Sequence, residues 1–384
     1  MQVNKYIIYL ILIVTLPGCI DPFFPEIDEE QILLVVDGML SDQEGYHQVR
    51  ISRSTSYSEP QYTPEPGCQV AIRDGEGNSV VMVESEPGLY EQFVEQSFLQ
   101  TNKAYQLYFR TPDGSEYLSE ADSLLLCPPI NKLYYEQEIR ETFDPDFPHY
   151  GIQFYTDLHI PDKYAKNYRW ELEETWEYHA PYTIRFYYVG RIIDLGSDSD
   201  SLMYCWKTEK VNTIHTISAG HIEGSNVNKI PLSYVSNQSN RLSVKYSLLV
   251  KQYALSNKAY QYWNLLEQQN QESGGLYETQ PARIQGNIHN IANPAERVLG
   301  FFNVSSVTRQ RIFTEESFQF PIDDFECRLI PIGPQNPLGF YSVNDYPVYL
   351  VSESGTGWPF ANADDVCFDC REGGGSLEPP DFWE

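Results

Sequence analysis

Cys68-Gln69-Val70-Ala71-Ile72-Arg73-Asp74-Gly75-Glu76-Gly77-Asn78-Ser79-Val80-Val81-Met82-Val83 reads as two alternating apolar runs joined by an Asp-Gly turn. Glycine tolerates the positive φ of a tight hairpin, and a period of two puts alternate side chains on one face of a pleated strand. The segment therefore predicts a β-hairpin. The rhythm continues on either side. Ile32-Leu33-Leu34-Val35-Val36 is a short buried-type run stopped by Asp37-Gly38, His47 to Ser52 alternates, and Ala104 to Arg110 is followed by a turn at Asp113-Gly114. The loop from Asp74 to Asn78 lacks the spaced ligands and terminal Glu of an EF-hand, so it is read as a plain turn and not as a calcium site. Short strands with regular turns over residues 32–128 predict an N-terminal β-sandwich of immunoglobulin or transthyretin type.

Cys127-Pro128-Pro129-Ile130 reads as a linker into a second, C-terminal β-rich domain over residues 129–384. Gly151 to Ile160, Tyr168 to Glu177 and Leu242 to Tyr253 alternate as strands there, with Trp170, Leu172 and Trp176 on one face together with Glu174. Trp170 is expected in the core. One amphipathic helix is expected, capped by Ser256, with Ala259, Trp263 and Leu266 at i, i+4 and i+7 and Gly274-Gly275 as its stop. The fold class is therefore mainly β, two β-sandwich-like domains with one packed helix on the second.

The chain has 384 residues, a length that accommodates about two domains, and 41% of them are hydrophobic, which excludes a disordered chain. Its formal charge is −28 and it has no basic run to track phosphates, which excludes a nucleic-acid partner. An acidic surface steers cationic ligands, such as cationic peptides or metal complexes, and disfavours anionic ones. No G-x-S-x-G, H-E-x-x-H, P-loop or dinucleotide motif occurs, and the seven histidines are dispersed. No catalytic residue, metal ligand or cofactor is therefore named, and the protein is expected not to be an enzyme. With 54 Asp and Glu, no carboxylate pair for glycoside hydrolysis stands out from the rest.

Residues 1–18 carry Lys5, the apolar run from Tyr6 to Val14, and then Leu16-Pro17-Gly18 before Cys19. The run falls short of a ~20-residue membrane span and suits the ~7–15-residue core of a secretory signal peptide. Leu-x-Gly-Cys resembles the bacterial lipobox, which implies that Cys19 carries the lipid, acyl chains of the palmitate kind. Such chains contribute ~0.8 kcal/mol per buried CH₂. Residues 19–31 hold two prolines and five carboxylates and read as an acidic tether, similar to the signal that sends lipoproteins to the bacterial cell surface. Lipidation of Cys19 leaves Cys68, Cys127, Cys205, Cys327, Cys367 and Cys370 as disulfide candidates in an oxidising compartment. The simplest pairing joins Cys68 to Cys127 in the first domain and leaves the other four to pair within the second. Acidic neighbours make Cys367-Phe368-Asp369-Cys370 a poor redox motif, and it is read as structural in preference to redox-active or zinc-binding.

Several strings carry one resemblance. They are Ile32 to Gly38 with Val49-Arg50-Ile51-Ser52, Asn167-Tyr168-Arg169-Trp170-Glu171, Ala259-Tyr260-Gln261-Tyr262-Trp263, Gln285-Gly286-Asn287-Ile288, Val298-Leu299-Gly300-Phe301-Phe302, and the tail from Cys367-x-x-Cys370-Arg371 to Pro380-Asp381-Phe382-Trp383. Together they resemble the DUF4249 family of Bacteroidota outer-membrane lipoproteins. The resemblance implies a lipid-anchored, surface-exposed accessory that docks on a TonB-dependent transporter and assists cargo capture. The other roles to weigh are a stand-alone adhesin or glycan-binding lipoprotein, a subunit of an outer-membrane assembly or secretion complex, and a hydrolase. Asp122-Ser123-Leu124 and Asp200-Ser201-Leu202 resemble the O-glycosylation signal of such bacteria, the second in an evident loop. Phe382 and Trp383 are expected to close the second domain's core.

Overall fold

The computed structural model describes residues 32–55, 61–142, 148–221, 225–272, 284–314, 317–323, 326–352 and 359–383. The signal peptide, Cys19, the acidic tether and Gly274-Gly275 lie outside the described residues. The architecture is mainly β, with strands in four sheets and, among the described residues, one α-helix, Asn257–Glu272.

The opening hairpin forms as Gln69–Asp74 and Ser79–Glu86, and it sits inside a sheet of eleven strands. Strict alternation buries Val70, Ile72, Tyr105, Leu107, Phe109 and Tyr90 on one face. The turn takes a form that suits its composition. Asp74 accepts from the Glu76 and Asn78 backbone N–H groups at 2.9 and 2.8 Å, and the Lys103 ammonium lies 2.7 Å from its other oxygen. A lysine stands where a calcium reading would have put an ion.

The sheet is completed from far along the chain. Val298–Ser305 runs parallel to Leu34–Ser41 in the register Leu34↔Val298 to Ser41↔Ser305, while Ile288–Asn290 pairs with Glu116–Ser119 at the opposite end. Residues 291–297 join these two outermost strands, so the sheet folds back around one core that includes Ile288, Val298, Phe302 and Val304. The boundary expected at residue 128 therefore does not separate the two lobes. Residues 32–128 supply most of the first sheet, but its last strand on each side comes from the segment assigned to the second domain. Two glycines permit that closure. Gly300 has φ +93°, and a Cβ on it would meet the Val36 carbonyl oxygen at 1.9 Å; a Cβ on Gly286 would meet the Gly300 oxygen at 2.0 Å. Only glycine allows backbones this close.

Immediately after Ser305 the chain crosses into a second lobe. The Ser306 hydroxyl donates to the Leu125 carbonyl at 2.5 Å, the Val307 N–H donates to Asp42 at 3.0 Å, and Val307–Phe313 then joins a four-stranded sheet with Lys245–Leu255, Asn167–His179 and Tyr204–Ser218. That sheet shares a core with a three-stranded sheet of Lys132–Arg140, His149–His159 and Asn226–Ser236, in a sandwich-like arrangement. Trp170 is buried within this core and donates to Gln252 at 3.2 Å. Glu174 faces the same way, as the alternation requires, and is accommodated by Tyr246 at 2.9 Å and Arg241 at 3.3 Å.

The helix starts where expected, with the Ala259 N–H donating to the Ser256 hydroxyl at 3.2 Å. Ala259, Tyr262 and Trp263 pack with Tyr253, Leu255, Phe301 and Val307, a small cluster drawn from both lobes. Phe382 and Trp383 do not enter the core. They are half-buried on the outer face of the four-stranded sheet, where Phe382 lies 3.5 Å from the Arg311 guanidinium and Trp383 meets Phe313 at 5.4 Å and donates to Glu177 at 3.1 Å. The inner face is already filled, and these aromatics cover charged and aromatic side chains on the outer one.

Candidate functional site

A fourth sheet, of five strands, which includes Ile184–Tyr188, Val348–Ser352 and Phe360–Asn362, carries an acidic cavity. Its position depends on two cross-links. Cys205 is bonded to Cys370, and Cys327 to Cys367, so the two ends of the Cys-x-x-Cys string are held by different partners. Between them Phe368 is fully buried against Tyr182 and Tyr349, at ring distances of 5.6 and 5.8 Å. The tail is thus pinned on the sheet, and Asp364, Asp365 and Glu372 are carried to the cavity wall.

Opposite them, the turn Val343–Asp345 is set by a capping box. The Asn344 N–H donates to the Ser342 hydroxyl at 3.3 Å, while Asp345 accepts from the Ser342 N–H at 2.6 Å. This fixes Asp345 at the wall. Tyr341 is held by Asn362, which donates to its hydroxyl at 2.7 Å, and Tyr346 stacks edge-on against Tyr188 at 5.5 Å. The cavity, about 490 Å³, is therefore lined by three tyrosines, Tyr341, Tyr346 and Tyr349, and four carboxylates.

Its electrostatics follow from that crowding. Partial burial, then Glu372, Asp369, Asp364 and Asp345, push the Asp365 carboxyl above the usual carboxylate range. Burial also works against Asp369, but Arg371, donating at 2.7 Å, pulls it below that range. An added cation would relieve the repulsion that raises Asp365, and tyrosine faces favour ammonium or guanidinium groups.

The remaining candidate residues lie elsewhere. Cys68 and Cys127 are not joined, which corrects the expected first-domain disulfide. Cys68 lies in the core of the first sheet, its thiol pushed up to about 11 by burial. Cys127 has already passed into the core of the second sandwich, with its sulfur 3.3 Å from the Gln252 carbonyl oxygen and its thiol also raised by burial. Of the two Asp-Ser-aliphatic strings, the first is a short strand with Asp122 and Leu124 buried, and the second leaves Ser201 exposed. No cavity residue was singled out in the sequence. The available signal was the clustering of Tyr341, Tyr346 and Tyr349 ahead of Asp364-Asp365, which the abundance of acids hides.

Comparison with known proteins adds little at the level of the site. No curated protein matches the chain. Among solved structures, the crystal structure of trypsin activated alpha-2-macroglobulin from Escherichia coli is similar over 59% of this chain at 10% identity and a TM-score of 0.19, a likeness too weak to carry an argument; the match spans 15% of that chain. The sequence model described as a domain of unknown function, DUF4249, matches residues 20–311, ending before the acidic cavity and before the tail. With most of its length so matched, the chain belongs to the DUF4249 family.

Proposed function

We propose that the protein is a lipid-anchored, surface-exposed outer-membrane accessory, held by Cys19, that docks on a TonB-dependent transporter and captures cationic cargo for it. The observation that carries the cargo half of this reading is the cavity of Tyr341, Tyr346, Tyr349, Asp345, Asp364, Asp365 and Glu372. A volume of about 490 Å³ lies within the ~300–1,000 Å³ of small-ligand sites. The anchor half rests on the lipobox-like string and the acidic tether that follows it. No helix among the described residues is long and apolar enough to cross a membrane, and a lipidated cysteine needs none.

Titration of the mature protein with tetralysine, alongside tetramethylammonium and a neutral peptide, tests the cargo half. Binding of the cations that falls about tenfold in the triple variant D364N/D365N/E372Q supports it, and equal binding of the neutral peptide overturns it. Affinity capture of the lipidated protein from outer membranes tests the docking half. A stoichiometric TonB-dependent barrel is the expected companion; an intact, lipidated protein that brings none refutes the docking.

A hydrolase is the second reading, because Asp365 is raised among other carboxylates in a cavity, a pattern that also serves acid catalysis. Turnover of a glycoside or peptide that is lost in D365N, with binding kept, would favour it.

A further inference from the structure

The four-stranded sheet carries a cavity of the opposite character. Trp170 pairs with His215 and Leu172 with Val211, so one residue of the inner strand, Glu171, faces three of its neighbour, Asn212, Thr213 and Ile214. The longer strand flares away there and opens a cavity of about 190 Å³. It is walled on the inner side by Arg169, Glu171, Glu173 and Lys251, and on the flared side by Lys210 and the bulge itself.

Three features single it out. Arg169 is 7% exposed, with its guanidinium 3.8 Å from the Trp263 ring and 5.1 Å from that of Tyr253. Its Nη2 donates to Glu171 at 2.5 Å, but its Nε is buried and has no hydrogen-bond partner among the described residues. A stacked guanidinium with an unspent in-plane N–H is suited to an oxyanion, because donors in the plane of the fork match carboxylate geometry. The carboxylates already present are fully engaged. Glu171 is taken by Arg169 and by the Tyr253 hydroxyl at 2.9 Å, and Glu173 is shared between Lys251 at 3.5 Å and Arg311 at 3.3 Å. Lys210, at the mouth, has no ion-pair partner among the described residues. On a chain of formal charge −28, this wall holds more cations than carboxylates.

We propose that this bulge cavity is a second binding site, for a carboxylate-bearing ligand of amino-acid size. The size follows from the volume, which would take about six waters at ~30 Å³ each and falls below the range of larger ligand sites. In the bound state the carboxylate receives the Arg169 Nε–H and faces Lys210 and Lys251, while Glu171 keeps its bond from Nη2. The site is independent of the acidic cavity and of the transporter reading. Its preference for anions is the reverse of what the net charge alone predicts.

Calorimetric titration of the mature protein with N-acetylglycine, and with N-acetylglycinamide as the neutral isostere, tests it. The acid binds and the amide does not; affinity falls about tenfold in K210E, recovers in K210R, and falls again in K251M, as expected when one partner of a charged contact is removed. Lys210 is exposed, so K210E is chosen to leave the fold intact, which an unchanged melting temperature checks. D365N, in the acidic cavity, leaves this binding unchanged. Equal binding of acid and amide overturns the proposal, as does unchanged affinity in both K210E and K251M. Inorganic phosphate binding as tightly as N-acetylglycine would overturn the carboxylate assignment. A tripeptide with a free C-terminus separates the sources, since tighter binding than N-acetylglycine identifies a peptide end and equal binding a free small acid.

Discussion

Lys103 places its ammonium 2.7 Å from Asp74, whose side chain is otherwise fully engaged by the turn it closes. Burial alone would raise this carboxyl, but Lys103, Asn78 and the backbone N–H of Glu76 together hold it well below the usual carboxylate range. The depressed value fixes the direction of the linkage. Stability from Asp74 is fully present above the unfolded pKa of about 4 and is lost as pH falls through the folded value. D74N should therefore cost about 1–3 kcal/mol at neutral pH and flatten the acid side of a melting-temperature profile against pH. The sequence showed the turn but not its lysine, because Lys103 lies a strand away and only the sheet register brings it close. The two unpaired cysteines were illegible for a related reason. Both belong to the stretch read as one domain, yet Cys127 is the residue at which the chain enters the other core. Iodoacetamide at pH 8 should label neither thiol in the native protein and both after denaturation without reductant, since each is buried and raised.

Strands and helix were the most legible elements, because alternation and capping act over a few residues. The 68–83 hairpin, the buried Trp170 and the Ser256 cap are all local readings that the tertiary structure had no cause to override. The parallel strand Val298–Ser305 was recognisable as buried, but its partner was not, since nothing local distinguishes one apolar run from another as a mate. Its glycine is the informative residue. G300A places a Cβ against the Val36 backbone at positive φ and should destabilise by more than about 2 kcal/mol in urea unfolding, whereas G75A, in open space, should cost much less. The tail's Phe382 and Trp383 read as core residues. Its actual seat, over Arg311, Phe313 and Glu177, predicts that W383A lowers stability by about 1–2 kcal/mol, less than loss of a core aromatic at about 3–5 kcal/mol. The disulfides act on a larger loop. Breaking Cys205–Cys370, which spans 165 positions, should cost about 2–4 kcal/mol and release the wall of the acidic cavity, measured as loss of tetralysine binding in C205S/C370S.

At the scale of the whole chain, composition correctly gave a β-rich globular protein, while net charge described neither site by itself. One cavity concentrates the acids and the other collects Lys210, Lys251 and Arg169, and a sum over the sequence contains no information on that partition. The crossing at Ser306 is equally invisible to composition, yet it orders events. The first sheet has its inner strands by residue 123 and receives its last edge only when Val298 to Ser305 become available. At ~5–20 residues per second of synthesis, the outer edge of the Leu34–Ser41 strand, whose other side already pairs with Gly45–Arg53, stays open for on the order of ten to forty seconds. An open β edge recruits other chains during such an interval. A protein with this topology therefore depends on being escorted while it emerges, and its yield should respond to holding chaperones more steeply than its equilibrium stability would indicate.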